Sequence, residues 1–216
     1  VVTGTTDKKG IVVTDNERVL CVPSEIVDAY ALNTVDEAME VFLQLAVHKP
    51  RKPDGDYPGC ENDPTYRQLI PYIVVRNRRG RILCYQRKNG GEKRLDAKWS
   101  IGIGGHVNDG DSGWLGGVIR EIREELSGVG VVALTGNGIG PESSLHGPIG
   151  FIRDDSDAVG RVHLGVLYVL DVPDGVTYRE EGDAVWSSYP EVIDDLETWS
   201  RIALPMLRQW ERNGGE

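Results

Sequence analysis

The chain has 216 residues, 39% of them hydrophobic and 27% charged, and carries a net charge of −10. That balance belongs to a folded globular protein and excludes the disordered and fibrous classes. The acidic surplus opposes binding to nucleic acid polymers and anionic lipid, which needs clustered Lys and Arg. No apolar run reaches the roughly 20 residues that cross a bilayer.

From the amino terminus, VVTGTTDKKG lacks the basic-then-apolar layout of a signal peptide, so a cytoplasmic location is expected. Ile11 to Thr14 and Arg18 to Val22 are short β-rich runs around Asp15-Asn16-Glu17, which predicts a hairpin. Thr34 stands three residues before Glu37, the spacing of a capping box, and predicts a short helix through Ala46. Four prolines and two glycines between His48 and Pro64 predict that regular structure stops there. Residues 1–62 are therefore read as an extension plus linker, able to shape a pocket or contact a second copy of the chain, and residues 63–216 as the main domain. Cys21, Cys60 and Cys84 form no CxxC pair, so reduced thiols are expected and a zinc site is not.

Beyond the linker, Ile70 to Arg76 and Arg81 to Gln86 read as a strand pair turning at Asn77 to Gly80. Further strands are expected at Trp99 to Ile103, Gly147 to Ile152 and Val162 to Asp171. A helix from about Gly113 to Leu126 places Leu115, Val118, Ile119, Ile122 and Leu126 on one stripe, and another runs from about Thr198 to Glu211 around Pro205. Strands alternating with helices predict an α/β fold, a mixed sheet between helices, with the N-terminal extension added to it.

The chemistry concentrates in GIGGHVNDGDSGWLGGVIREIREELSG, Gly102 to Gly128. At 100° per residue, Glu121, Glu124 and Glu125 share a sector of the helix, expected beside the apolar stripe rather than within it. Three such carboxylates repel one another unless a cation lies between them. Hard oxygen donors favour Mg²⁺, with Mn²⁺ as substitute. Gly102, Gly104 and Gly105 allow the main chain to approach metal and substrate closely.

This stretch resembles the Nudix box, G-x5-E-x7-R-E-U-x-E-E-x-G-U with U aliphatic. Gly105 aligns with its first glycine and Arg120-Glu121-Ile122-Arg123-Glu124-Glu125 reproduces its core. Asp111 stands where glutamate is usual, eight residues instead of seven separate it from Arg120, and Ser127 replaces the later glycine. The resemblance covers about residues 66 to 210, including Tyr85 to Arg87 and Lys98 to His106, and implies a Nudix-like mixed sheet between helices. It further implies a Mg²⁺-dependent hydrolase of a diphosphate linkage in a nucleotide-like or other phosphorylated small molecule. By the same match Glu121, Glu124, Glu125 and a Gly105 carbonyl would hold the metal, and Arg120 would steady the carboxylates.

Glu121 is the first choice of general base, with Asp154, Asp155, Glu180 and Glu181 as alternatives. Arg87 and Arg94, within a basic run with Lys88, Lys93 and Lys98, are the candidates for gripping phosphate. Gly104 and His106 are further candidate substrate contacts, a packing role being the competing reading of His106. Two other functions stay open: a binding module that senses a metabolite without turnover, and a Nudix-fold isomerase.

Overall fold

The computed structural model describes residues 17–86, 98–130, 143–179 and 183–215 in full, and the main chain alone for Thr5–Thr6, Val12–Val13 and 132–134. The N-terminal elements are β1 (Thr5–Thr6), β2 (Val12–Val13), β3 (Arg18–Pro23), α1 (Ser24–Ala29), α2 (Val35–Leu45) and β4 (Val47–Pro50). There follow β5 (Tyr66–Asn77), β6 (Ile82–Gln86), β7 (Trp99–Ser100), β8 (Gly102–Ile103), α3 (Gly113–Glu125), β9 (Leu126–Ser127) and β10 (Val132–Leu134). The remainder is β11 (Ser143–Ile152), β12 (His163–Val172), β13 (Thr177–Tyr178), β14 (Ala184–Ser187) and α4 (Thr198–Arg212).

Among the described residues, a 10-stranded mixed sheet runs β10-β11-β12-β5-β3-β4, with β6 and β8 on the β5 flank and β7 and β14 paired to β6. Its axis is β5, whose apolar run is long because both faces are covered. Alternate side chains serve opposite layers. Leu69, Ile73 and Val75 join a core with Val27 of α1, Phe42 of α2 and Val118 and Ile122 of α3. Tyr72 and Val74 face Ala203, Leu204 and Leu207 of α4. The fold is thus the expected mixed sheet between helices. No described helix is long and apolar enough to cross a membrane.

The capping box forms: Thr34 Oγ1 accepts from the Glu37 amide at 3.3 Å, and Glu37 Oε2 accepts from the Thr34 amide at 3.2 Å. Two local expectations fail. The hairpin across Asp15 to Glu17 is not what the described strands make, since β2 pairs with β1 whereas β3 pairs with β4 and β5. Nor does regular structure stop at His48. β4 takes in His48 to Pro50 as the outer strand of the sheet, a position where a proline without an amide proton is tolerated.

Pro71 lies within central β5, opposite Val166 of β12. Its other flank explains why that is allowed. There β5 pairs with β3 only over 66–68 and with β8 only at 73–74, so no ladder partner is due at 71. The opening receives the glycine loop: a Cβ on Gly104 would sit 1.8 Å from the Pro71 carbonyl oxygen. Backbone, not a flexible side chain, blocks that position. Gly104→Ala is accordingly expected to destabilise the fold by about 3 kcal/mol or more. A urea-unfolding midpoint within experimental error of the parent would show that the loop does not enter the sheet.

Candidate active site

Helix α3 buries Trp114, Gly117, Val118, Glu121 and Ile122, while Leu115 is exposed. The buried stripe is therefore rotated from the expected one, and Glu121 lies inside it. A carboxylate is tolerated there because two features answer its charge and its bulk. Arg120 Nη1 donates to Glu121 Oε1 at 2.6 Å, and Gly105 leaves room where any Cβ would approach both carboxylate oxygens at 2.8 Å. Burial still dominates: it pushes the Glu121 carboxyl up to about 7, with Arg120 opposing and the charges of Glu124 and Glu125 adding to the rise.

Arg120 organises everything around it. Its Nε donates to Asp111 Oδ1 at 2.7 Å, Nη1 also reaches Glu124 Oε2 at 3.2 Å, and Nη2 serves Asp111 Oδ2 at 2.9 Å and the His106 carbonyl at 2.6 Å. Every guanidinium nitrogen is engaged. Asp111, the shorter acid at the atypical loop end, also accepts from the Asn108 amide at 2.8 Å, closing the loop onto itself. Burial raises its pKa, but the hydrogen bonds from Arg120 and Asn108 outweigh that and hold it below the usual carboxylate value. Helix and loop meet without slack, since a Cβ on Gly117 would lie 2.7 Å from a Val107 methyl.

Glu121, Glu124, Arg120 and Gly105 are thus brought together. Glu125 is close enough to raise the Glu121 pKa, and its carbonyl accepts from the Arg179 amide at 2.9 Å. Among the described residues no three Asp, Glu, His or Cys side chains are already gathered tightly enough to ligate one ion, because Arg120 bridges Glu121 and Glu124. The donor set still suits a hard cation: carboxylates on one helix side, a main-chain loop approached through glycine, and one acid under strong desolvation.

His106 is turned inward. Its Nε2 is enclosed with no hydrogen-bond partner, its ring lies 5.9 Å from that of His163, and burial first, then nearby cations, holds it well below the ordinary histidine pKa. What it gives the site is its carbonyl. Gly104 likewise faces β5. Asp155 is held by Arg67 of β5 at 2.7 Å and by Arg153 at 2.6 Å, and buried Asp154 accepts from the Ser156 amide at 3.0 Å. Arg87, Lys88, Lys93, Arg94, Glu180 and Glu181 lie outside the described residues. Sequence reading missed the segment that closes the far end of α3. There Tyr178 of β13 pairs with Leu126 of β9 and stacks on Tyr85 at 4.2 Å between centroids. Nothing local announces a contact across so many residues. A separate cleft of about 800 Å³, lined by Asp36, His146, Met206 and Trp210 among others, contains none of these groups.

Comparison with known proteins bears on this geometry. The family profile described as the NUDIX domain matches residues 67–207. The chain is 33% identical over 185 residues to protein YmaB of Bacillus subtilis (strain 168), covering 78% of this chain and 82% of that one. It also superposes on the crystal structure of Tm1382, a protein provisionally assigned to the Nudix hydrolases, with a TM-score of 0.63 and 25% identity. That match covers 88% of this chain, more than residues 67–216 alone could supply, and 98% of the other.

Burial of Glu121 has a consequence for stability. Its carboxyl has the ordinary value of 4.5 when unfolded and is pushed up to about 7 when folded. Between those values the folded state holds a proton that the unfolded state has lost, so stability falls as pH rises through the window. The full loss is about 3 kcal/mol, at about 1.4 kcal/mol per pH unit. Metal-free protein should lose denaturant resistance from pH 5 to 8 relative to Glu121→Gln. Parallel pH profiles for the two proteins would mean that the carboxylate is solvated.

Proposed function

The chain belongs to the Nudix family of phosphohydrolases, and on that footing we propose that it hydrolyses a diphosphate linkage in a small phosphorylated molecule with the aid of Mg²⁺. The observation that carries this reading is the desolvated Glu121 carboxylate set against Gly105, sharing the Arg120 guanidinium with Glu124. Like charges crowded at a low-dielectric border call for a cation.

Glu121, Glu124 and Glu125, with the Gly105 carbonyl, are the proposed ligands, and Mn²⁺ would satisfy the same oxygens. When bound, the ion neutralises phosphate charge and acidifies a water molecule. The remaining work falls to the chain. Arg120 fixes Glu121 through Oε1 and Glu124 through Oε2, so neither carboxylate rotates freely. Glu121 Oε2, the oxygen not bonded to Arg120, is the proposed proton acceptor. Held by its other oxygen, a carboxylate can take a proton from water as the water oxygen bonds to phosphorus. The bridging P–O bond then breaks and its oxygen leaves with the second phosphate. The Gly102–His106 loop, inserted beside Pro71, keeps that acceptor away from bulk water on one side.

Phosphate release should be assayed with dinucleoside polyphosphates, nucleoside diphosphate derivatives and nucleoside triphosphates, with and without Mg²⁺. Turnover of at least one class, dependent on metal, is expected. Glu124→Gln should reduce kcat by about 100-fold or more, with an unchanged circular dichroism spectrum, as befits loss of a group acting in the transition state. Failure to turn over any substrate, together with tight retention of one of them, would favour a sensor instead.

A further inference from the structure

A diphosphate-cleaving centre at Gly105 leaves a charge problem, and the inference that follows rests on that reading. Among the described residues, Asp111, Glu121, Glu124 and Glu125 present four carboxylates against the guanidinium of Arg120, whose nitrogens already serve Asp111, Glu121, Glu124 and the His106 carbonyl. A metal ion would first offset those carboxylates. The substrate adds negative charge of its own and needs a donor that is not already committed.

The far end of α3 supplies one. Directly after β13, the Arg179 amide donates to the Glu125 carbonyl at 2.9 Å, so its main chain is tied to the residue that ends the glutamate helix. Four further contacts surround this stretch. Tyr178 pairs with Leu126, and its ring stacks on Tyr85 with an interplanar angle of 27°. Tyr85 in turn donates through its hydroxyl to the Gly102 carbonyl at 2.7 Å, at the entrance of the glycine loop. Beyond it, the Gln86 amide donates to the Asp183 carbonyl at 2.8 Å. The residue at 179 is therefore held between the helix end and the loop entrance, while its side chain is exposed. Among the described residues that guanidinium has no ion pair or hydrogen bond. Arg123, also exposed, cannot substitute: at 100° per residue it lies roughly 200° around the helix from Glu121.

We propose that Arg179 is a substrate-binding residue that grips the diphosphate through its forked N–H donors, supplying the positive charge that Arg120 cannot lend. A forked donor fits two phosphate oxygens at once, which a lysine ammonium does not.

The test uses the full chain with Mg²⁺ and methylenediphosphonate, a diphosphate whose bridge cannot be cleaved, followed by titration calorimetry. Arg179→Gln should weaken binding about 30-fold, and Arg179→Lys about fivefold, because charge survives while the fork is lost. Arg123→Gln should bind like the parent. Parent-like binding by Arg179→Gln would overturn the proposal while leaving the diphosphate reading intact. Absence of binding by the parent protein would overturn both. Should the Gln variant melt at lower temperature, recovery of binding in the Lys variant supports the proposal, and equal loss in both variants refutes it.

Discussion

A carboxylate inside a protein must be answered by a partner or by a proton, and the placement of Glu121 in the buried stripe of α3 imposes that demand on its surroundings. The consequences can be followed outward. Arg120 must point back along its own helix, Asp111 must come forward to hold the guanidinium, and residue 105 must lack a side chain. Each close approach excludes slack elsewhere. Gly117 meets Val107, and Gly104 meets the Pro71 carbonyl, so loop, helix and central strand adjust together or not at all. An exposed glutamate cluster would ask none of this of the chain.

The atypical end of the box becomes intelligible on the same grounds. An aspartate reaches less far than a glutamate, and the extra residue before Arg120 would separate the two if the loop stayed extended. Instead the loop curls: the Asp111 amide donates to the Asn108 carbonyl, and Asp111 Oδ2 accepts from the Asn108 amide. The curl returns the short carboxylate to the guanidinium. Both departures are thus absorbed by one turn, leaving the carboxylates on α3 in place.

How much of this could be read from residues alone depends on the range of each interaction. The capping box at Thr34 and Glu37 is local and was legible, as were the strands of β5, β6 and β12, whose β-branched runs announce themselves. The order Arg120 to Glu125 pointed to the helix and its chemistry. Helical periodicity, however, cannot tell which of two adjoining sectors turns inward when both mix apolar and charged residues. Leu115 and Glu121 therefore exchanged places between expectation and structure. Pro71 in a central strand, the strand at His48 to Pro50 and the seating of Tyr178 on Tyr85 all depend on partners distant in sequence. No spacing rule contains them.

The segment before residue 63 belongs in the same chain of causes. Where β3 parts from β5, its amides and carbonyls do not go unpaired: Leu20 donates to the Val107 carbonyl at 2.8 Å, and Asp109 donates to the Arg18 carbonyl at 3.2 Å. The glycine loop is thus hydrogen-bonded as a short added strand to the N-terminal β3, and its neighbour His106 passes that position to Arg120 through a carbonyl. Arg51, paired with Glu17 at 2.9 Å and Glu61 at 2.7 Å, holds the following proline-rich segment to the start of β3. Between β3 and the glycine loop itself, the side chains contribute a long, exposed Arg18–Asp109 ion pair at 3.9 Å, worth little in water. Main-chain bonds to β3 must therefore carry the loop's register. The residues that look most like an appendage in the sequence act, through those two bonds, on the geometry of the guanidinium that organises the carboxylates.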